Sequence, residues 1–200
     1  MLNAVNTVFN EKILYPRYEI IGGEKIMAPS ANTYHSNTIG EIFWEFKTYF
    51  RQNKFGYVFT DNVDVHFPDG SIYKPDLVVV TKENASIIDW KKSIKGVPDM
   101  VVEVLSRSTM KKDLTVKKDT YEKFGVKEYW IVDPYIKSIM VYILRDGKFD
   151  FDFDYICYYE EDFEEMADFK EEEKPEIRME ISPSIFPEIK INLHDIFDLY

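Results

Sequence analysis

Two runs decide how this chain folds: Pro75-Asp76-Leu77-Val78-Val79-Val80 and Pro98-Asp99-Met100-Val101-Val102-Glu103-Val104-Leu105. Both are apolar at consecutive rather than alternate positions, which predicts strands covered on both faces. Each also carries an acid: Asp76 stands at the mouth of the first run and Glu103 inside the second. An ionised carboxylate in a buried strand is costly unless it is paired or binds a cation. One such acid alone reads as a strand-end cap or a salt bridge. Two of them, 27 residues apart on strands expected to be neighbours, make an oxygen-ligand pair for Mg²⁺. That ion keeps several waters and takes one or two carboxylates. The backbone carbonyl of Val104 is a third oxygen on the same strand.

Working outward, Tyr18 to Met27 reads as two short strands around Gly22-Gly23, ended by Ala28-Pro29-Ser30. Tyr34 to Arg51 places Ile39, Ile42, Phe43, Phe46 and Phe50 on one helical face. Tyr57 to Phe67 reads as a strand, Pro68-Asp69-Gly70-Ser71 as a turn, and Ile72 to Val80 as the returning strand. Ser86 to Gly96 is polar and Lys-rich, a loop with a turn of helix. Asp113 to Phe124 reads as a helix stopped by Gly125. Tyr129 to Asp133 and Ile139 to Leu144 are further strands, and residues 149–159 fit an edge strand. Glu160 to Pro175 is an acidic helix or loop facing solvent. Leu193 to Leu199 is apolar enough to pack back on the sheet. The order implies a mixed sheet with helices, α/β or α+β, in a single domain spanning residues 1–200.

Composition narrows the function. The 200 residues are 45% hydrophobic and 16% aromatic, an ordinary globular make-up with a large rigid core. One cysteine, Cys157, excludes an internal disulfide framework and a four-cysteine zinc site. His35, His66 and His194 show no HxxxH spacing, so a zinc protease is not expected. Neither GxGxxG nor GxxxxGK occurs, which disfavours nucleotide cofactors. No apolar run reaches the roughly 18 residues of a membrane span. Met1 to Asn10 does not read as a signal peptide, so a soluble, cytoplasmic protein is expected. The net charge of −11 is unevenly spread. Residues 1–146 carry 20 basic and 19 acidic side chains, whereas residues 147–200 carry 5 and 17. Lys82 to Lys127 is locally basic, with 11 against 7. A polyanionic substrate is therefore compatible with the body of the chain.

A third element lies after the second run. Asp113, Lys117 and Tyr121 are spaced i, i+4, i+8 and share a helix face. On spacing alone, Asp113 and Lys117 are an ordinary surface pair worth a few tenths of a kcal/mol. Directed at Asp76 and Glu103, Lys117 would instead orient a water and offset phosphate charge.

The blocks Tyr18–Glu24, Ala28-Pro29-Ser30, His35, Pro75–Val79, Pro98–Thr109, Asp113/Lys117/Tyr121 and Tyr129–Pro134 together resemble the Uma-two family of restriction endonucleases, within the PD-(D/E)XK nuclease superfamily. The resemblance spans residues 18–145 and is specific in the combination and order of its blocks. It implies a restriction-endonuclease-like core, a central mixed sheet flanked by helices, with a metal-dependent nuclease site acting on DNA. Asp76 and Glu103 match the two acids. The superfamily's lysine two residues after the second acid is replaced here by Leu105, and Lys117 is the matching substitute. Glu24 and His35 match secondary positions, as do Asp113 and Tyr121. Arg107 stands where the family has proline. Ser106, Arg107, Ser108, Lys111 and Lys112 are the candidate phosphate contacts, and Lys91, Lys92 and Lys95 are further candidates whose ordinary reading is solubilising surface charge. The implied cofactor is Mg²⁺, with Mn²⁺ as the alternative ion, and the implied assembly is a homodimer. The acidic segment from Gly147 carries no family motif and is expected to be a solvated surface. The competing reading is a catalytically silent nuclease fold kept for nucleic-acid binding or regulation. Another is a partner protein working through residues 147–200.

Overall fold

A computed structural model describes residues 18–27, 32–60, 63–107 and 109–199. Strands β1 (Tyr18–Ile21) and β2 (Glu24–Met27) form a hairpin turned by Gly22 and Gly23, both at positive φ. Helix α1 (Thr33–Asn53) starts at Asn32, whose side chain accepts the His35 N–H, and buries Ile39, Ile42, Phe46 and Phe50. The chain continues through β3 (Gly56–Thr60), β4 (Val65–His66), β5 (Ile72–Tyr73) and β6 (Leu77–Thr81). A small hairpin follows, β7 (Ile88–Asp89) and β8 (Ser93–Lys95), then β9 (Met100–Val104). The next helix has three parts: α2 (Met110–Lys112), a π-helical turn (Asp113–Lys117) and α3 (Lys118–Phe124). Strands β10 (Glu128–Asp133), β11 (Ser138–Arg145) and β12 (Lys148–Ile156) come next. The C-terminal part holds α4 (Glu160–Glu165), β13 (Glu180–Ile181), β14 (Ile191–Asn192) and α5 (Leu193–Phe197).

The larger sheet runs β12-β11-β10-β9-β6-β3. Its pairs are antiparallel except β9 with β10. A parallel pair needs a crossover, and the helix from α2 to α3 makes it. Consecutive apolar residues in β6 and β9 are buried on both faces, as their sequence requires. Leu77, Val79, Met100, Val102, Trp130 and Val132 face α1 and α5. Val78, Val80, Val101, Tyr129 and Ile131 face α3 and the second sheet, β2-β1-β5-β4-β8-β7. Each buried side chain of this kind contributes about 1.5–3 kcal/mol.

Several elements differ from the sequence expectations. Ile72 to Val80 is two strands in two sheets, because Pro75 has no N–H to continue a ladder. Tyr57 to Phe67 likewise divides, β3 staying in the large sheet and β4 joining the small one. The Lys-rich segment 86–96 is not a plain loop. After a 3₁₀ turn at Ala85–Ile87 it forms β7 and β8, and β8 pairs parallel with β4. The helix expected from Asp113 begins at Met110 and contains the π turn. Thr115 donates its hydroxyl to the Lys111 carbonyl, and Tyr129 donates to the Asp113 carbonyl. Both occupy acceptors of the regular ladder, a recognised cause of such irregularity. Beyond Gly147 the chain is part of the fold. β12 is an edge of the large sheet, and Ile181, Phe186, Ile191, Leu193, Ile196 and Phe197 are buried in its core. The acids of 160–176 mostly face water.

Candidate active site

The strand break at Pro75 determines the site. It ends β5 and puts Asp76 immediately before β6. The register that pairs Leu77 with Val102 sets Asp76 opposite Glu103, one step past the end of the ladder and on the same face. Asp76 Oδ2 accepts the Val104 N–H at 2.8 Å and lies 3.2 Å from His35 Nε2. His35 comes from the first turn of α1, held there by the Asn32 cap. Glu103 Oε1 accepts the Tyr121 hydroxyl at 2.7 Å and pairs with Lys117 Nζ at 2.9 Å. Asp76 Oδ1 and Glu103 Oε2 make no hydrogen bond or ion pair among the described residues.

Lys117 is only 4% exposed and sits among three carboxylates. Besides Glu103, its ammonium lies 3.1 Å from Asp113 and 3.2 Å from Glu19. Asp113 and Lys117 are the first and last residues of the π turn, and both face inward. π turns are rare and recur at functional sites. Glu19, in β1, also accepts the Lys74 N–H at 3.2 Å, which ties the hairpin to the stretch entering Pro75.

Three carboxylates therefore contact one ammonium, those of Glu19, Glu103 and Asp113, and Asp76, opposite Glu103, adds a fourth negative charge nearby. Their excess charge shows in the titration of the group. Burial pushes the Glu103 carboxyl well above its usual range. Lys117 opposes that shift, while Asp113, Asp76 and Glu19 add to it. Burial raises Asp113 as well, again against the pull of Lys117. Lys117 moves the other way from most buried lysines. Burial favours its neutral form, but Glu103, Asp113, Glu19 and Asp76 outweigh it and hold the ammonium well above its ordinary range. Lys117 is thus a fixed cation and not a proton acceptor. Tyr121 is pushed far up by burial and by Glu103, so its hydroxyl remains a donor.

The structure brings together Asp76, Glu103, Lys117, His35, Asp113, Tyr121 and the backbone of Val104. It does not bring Glu24 there: Glu24 is exposed on β2 and has no ion pair among the described residues. The acid that reaches the cluster from this hairpin is Glu19, which the sequence reading did not single out. Its signal was the one used for Glu103, an acid inside a strand between Tyr18 and Ile20. Ser106 and Arg107 follow β9 in the chain, and Lys111 and Lys112 lie in α2, the helix that leads to Asp113 and Lys117. Arg107 and Lys111 are exposed, Lys112 is half-buried, and Ser106 pairs its hydroxyl with that of Thr109 at 2.9 Å. Ser108 lies outside the described residues. Lys91, Lys92 and Lys95 lie elsewhere, on the β7–β8 hairpin. Among the described residues no group of three or more His, Cys, Asp or Glu side chains is placed to hold a metal ion, so the protein would supply at most two side-chain ligands. No helix among them is long and apolar enough to cross a membrane.

The chain is thus a mixed α/β fold with two acids at one end of its larger sheet and a lysine from the crossover helix beside them. The chain belongs to the Uma2 family, described as "Putative restriction endonuclease", which matches residues 12–151. A solved structure described as a "putative nuclease belonging to DUF820", from Anabaena variabilis ATCC 29413, is similar to it. Its TM-score is 0.67 at 18% identity, covering 91% of this chain and 90% of that one. At that identity the likeness shows the fold. No curated protein matches the chain.

Proposed function

We propose that this chain is a Mg²⁺-dependent endonuclease that hydrolyses phosphodiester bonds in DNA, with Mn²⁺ as an alternative ion. The observation that carries this reading is the pairing of half-buried Asp76 with buried Glu103 at one end of the sheet, beside an ammonium held by Glu103, Asp113 and Glu19. Asp76 and Glu103 face each other, each with one oxygen that makes no hydrogen bond or ion pair among the described residues. That donor set fits a hard divalent ion that keeps most of its waters. Asp76 and Glu103 would hold the ion, which when bound supplies a water of lowered pKa and a counter-charge for the phosphate. Lys117 stays protonated, fixes the Glu103 carboxylate and offsets negative charge at the scissile group. Asp113 and Glu19 hold Lys117 in place, Tyr121 orients Glu103, and His35 orients Asp76. Arg107, Lys111 and Lys112 contact phosphates, which sets register without reading bases.

The test is cleavage of supercoiled plasmid and of single-stranded DNA with and without Mg²⁺, by wild type, Asp76→Asn and Glu103→Gln. Ion-dependent cutting that disappears in both variants supports the reading. Equal cutting by all three overturns it. DNA binding by wild type without any cutting would instead favour the silent, nucleic-acid-binding module.

A further inference from the structure

The tip of the β7–β8 hairpin presents an aromatic surface that the active site does not use. Trp90 is 66% exposed, among the most exposed large apolar side chains described. A turn facing water has no need of such a residue, and an exposed tryptophan beside polar groups marks a contact site. The turn is fixed. The Lys91 N–H donates to the Asp89 carboxylate at 3.2 Å, and the Lys92 N–H to the Asp89 carbonyl at 2.9 Å. The indole rests on the edge strand β3. Its centroid lies 5.0 Å from the Tyr57 ring at 80°, and 6.0 Å from Phe59. Beneath it an open groove of about 260 Å³ is lined in part by Phe59, Val63, Ile88 and Ile94.

The charge beside this surface identifies the partner. Lys95 is neutralised by Asp89 at 2.8 Å. Lys91 and Lys92 are exposed and have no ion pair among the described residues. Two exposed cations with no ion pair among the described residues, next to a held, exposed indole in the locally basic part of the chain, fit a polyanion carrying flat apolar rings. Single-stranded nucleic acid has that chemistry: bases stack on aromatic side chains while lysines follow the phosphates. A duplex keeps its bases stacked internally and offers no ring face to Trp90.

We infer that Trp90, Lys91 and Lys92 form a second nucleic-acid contact, apart from the hydrolytic centre, that captures an unpaired strand by stacking a base on Trp90. The inference shares with the proposed function only the nature of the partner.

The test uses the full chain in EDTA, which keeps it independent of cleavage. A fluorescently labelled oligo(dT) of twelve nucleotides is titrated and followed by anisotropy. Trp90→Ala is expected to weaken binding about 5- to 150-fold, the range for losing one stacked base. Trp90→Phe is expected to recover part of that loss. Replacing Lys91 and Lys92 together by alanine is expected to lower the slope of log K against log salt by about 1.4. In a Trp44→Phe background, which leaves Trp90 and the fully buried Trp130, oligo(dT) should quench the part of the emission that Trp90→Phe removes. Wild-type affinity in Trp90→Ala, or an unaltered salt slope in the double lysine variant, overturns the inference and leaves the metal-site reading standing.

Discussion

Replacing Lys117 by methionine removes the ammonium that neutralises the buried acids. Glu103, Asp113 and Glu19 now lie 2.9, 3.1 and 3.2 Å from it, and all three are buried. Removing one partner of a buried ion pair costs about 3–5 kcal/mol, because the other charge stays buried and uncompensated. For a chain of this size each kcal/mol is about 2–4 °C in Tm, so Lys117→Met should lose roughly 6–20 °C. Glu103→Gln should behave differently. Burial already resists ionisation of Glu103. The amide keeps an acceptor for Tyr121, and Lys117 keeps Asp113 and Glu19. Its cost without metal should be clearly smaller than that of Lys117→Met, since it leaves no buried charge without a partner. The pH dependence has a definite sign. Without Lys117, carboxyls raised by burial bind protons more tightly in the folded chain than in the unfolded one. Stability of Lys117→Met should therefore fall as pH rises from 5 to 8, and the deficit should be largest at pH 8. Thermal and urea unfolding in EDTA at several pH values measure this. A Glu103→Gln loss as large as that of Lys117→Met, or a Lys117→Met chain as stable as wild type at pH 8, would refute the charge argument.

Asp99 makes a contrasting case. Burial opposes its ionisation, but hydrogen bonds from Lys127, the Thr81 N–H and Asn84 prevail and hold its carboxyl below the ordinary range. Lys127 is largely exposed, so its share is discounted for solvent screening. Asp99→Asn should cost about 1.5–3 kcal/mol at pH 7, and the deficit should shrink as pH falls below about 4, read by urea unfolding. Tyr121→Phe removes the 2.7 Å bond to Glu103. It should cost about 1–3 kcal/mol in stability, and in calorimetry it should weaken Mn²⁺ binding without abolishing it. Alanine at both Arg107 and Lys112 should weaken DNA binding equally across sequences and lower the duplex salt slope by about 2, measured by anisotropy at several salt concentrations.

The two acids were legible because a carboxylate in an apolar run conflicts with its surroundings, and that conflict is visible without knowing the partner strand. Lys117 was legible only through helical spacing and family likeness. The π turn that carries it depends on Tyr129 reaching back to the Asp113 carbonyl, a contact no local propensity encodes. Glu19 was passed over because its partner, Lys117, is 98 residues away. Only the pairing of β1 with β5 brings it near the site. The family likeness pointed instead to Glu24, which faces water. Pro75 did hold the information that Ile72 to Val80 breaks in two, since proline disrupts a ladder. The lysines of residues 86–96 hid β7 and β8, because two- and three-residue strands owe their stability to β4 rather than to their own composition.

Isothermal titration of Mn²⁺ into wild type, Asp76→Asn and Glu103→Gln bears on the centre most directly, since it does not depend on which DNA is cut. Wild type should bind the ion saturably. Ion at a hundred times its Kd should stabilise the fold by about 2.7 kcal/mol. Both variants should lose the binding heat and the stabilisation while remaining folded. No uptake by wild type, or equal uptake by all three, would contradict the assignment and return Asp76 and Glu103 to a structural role.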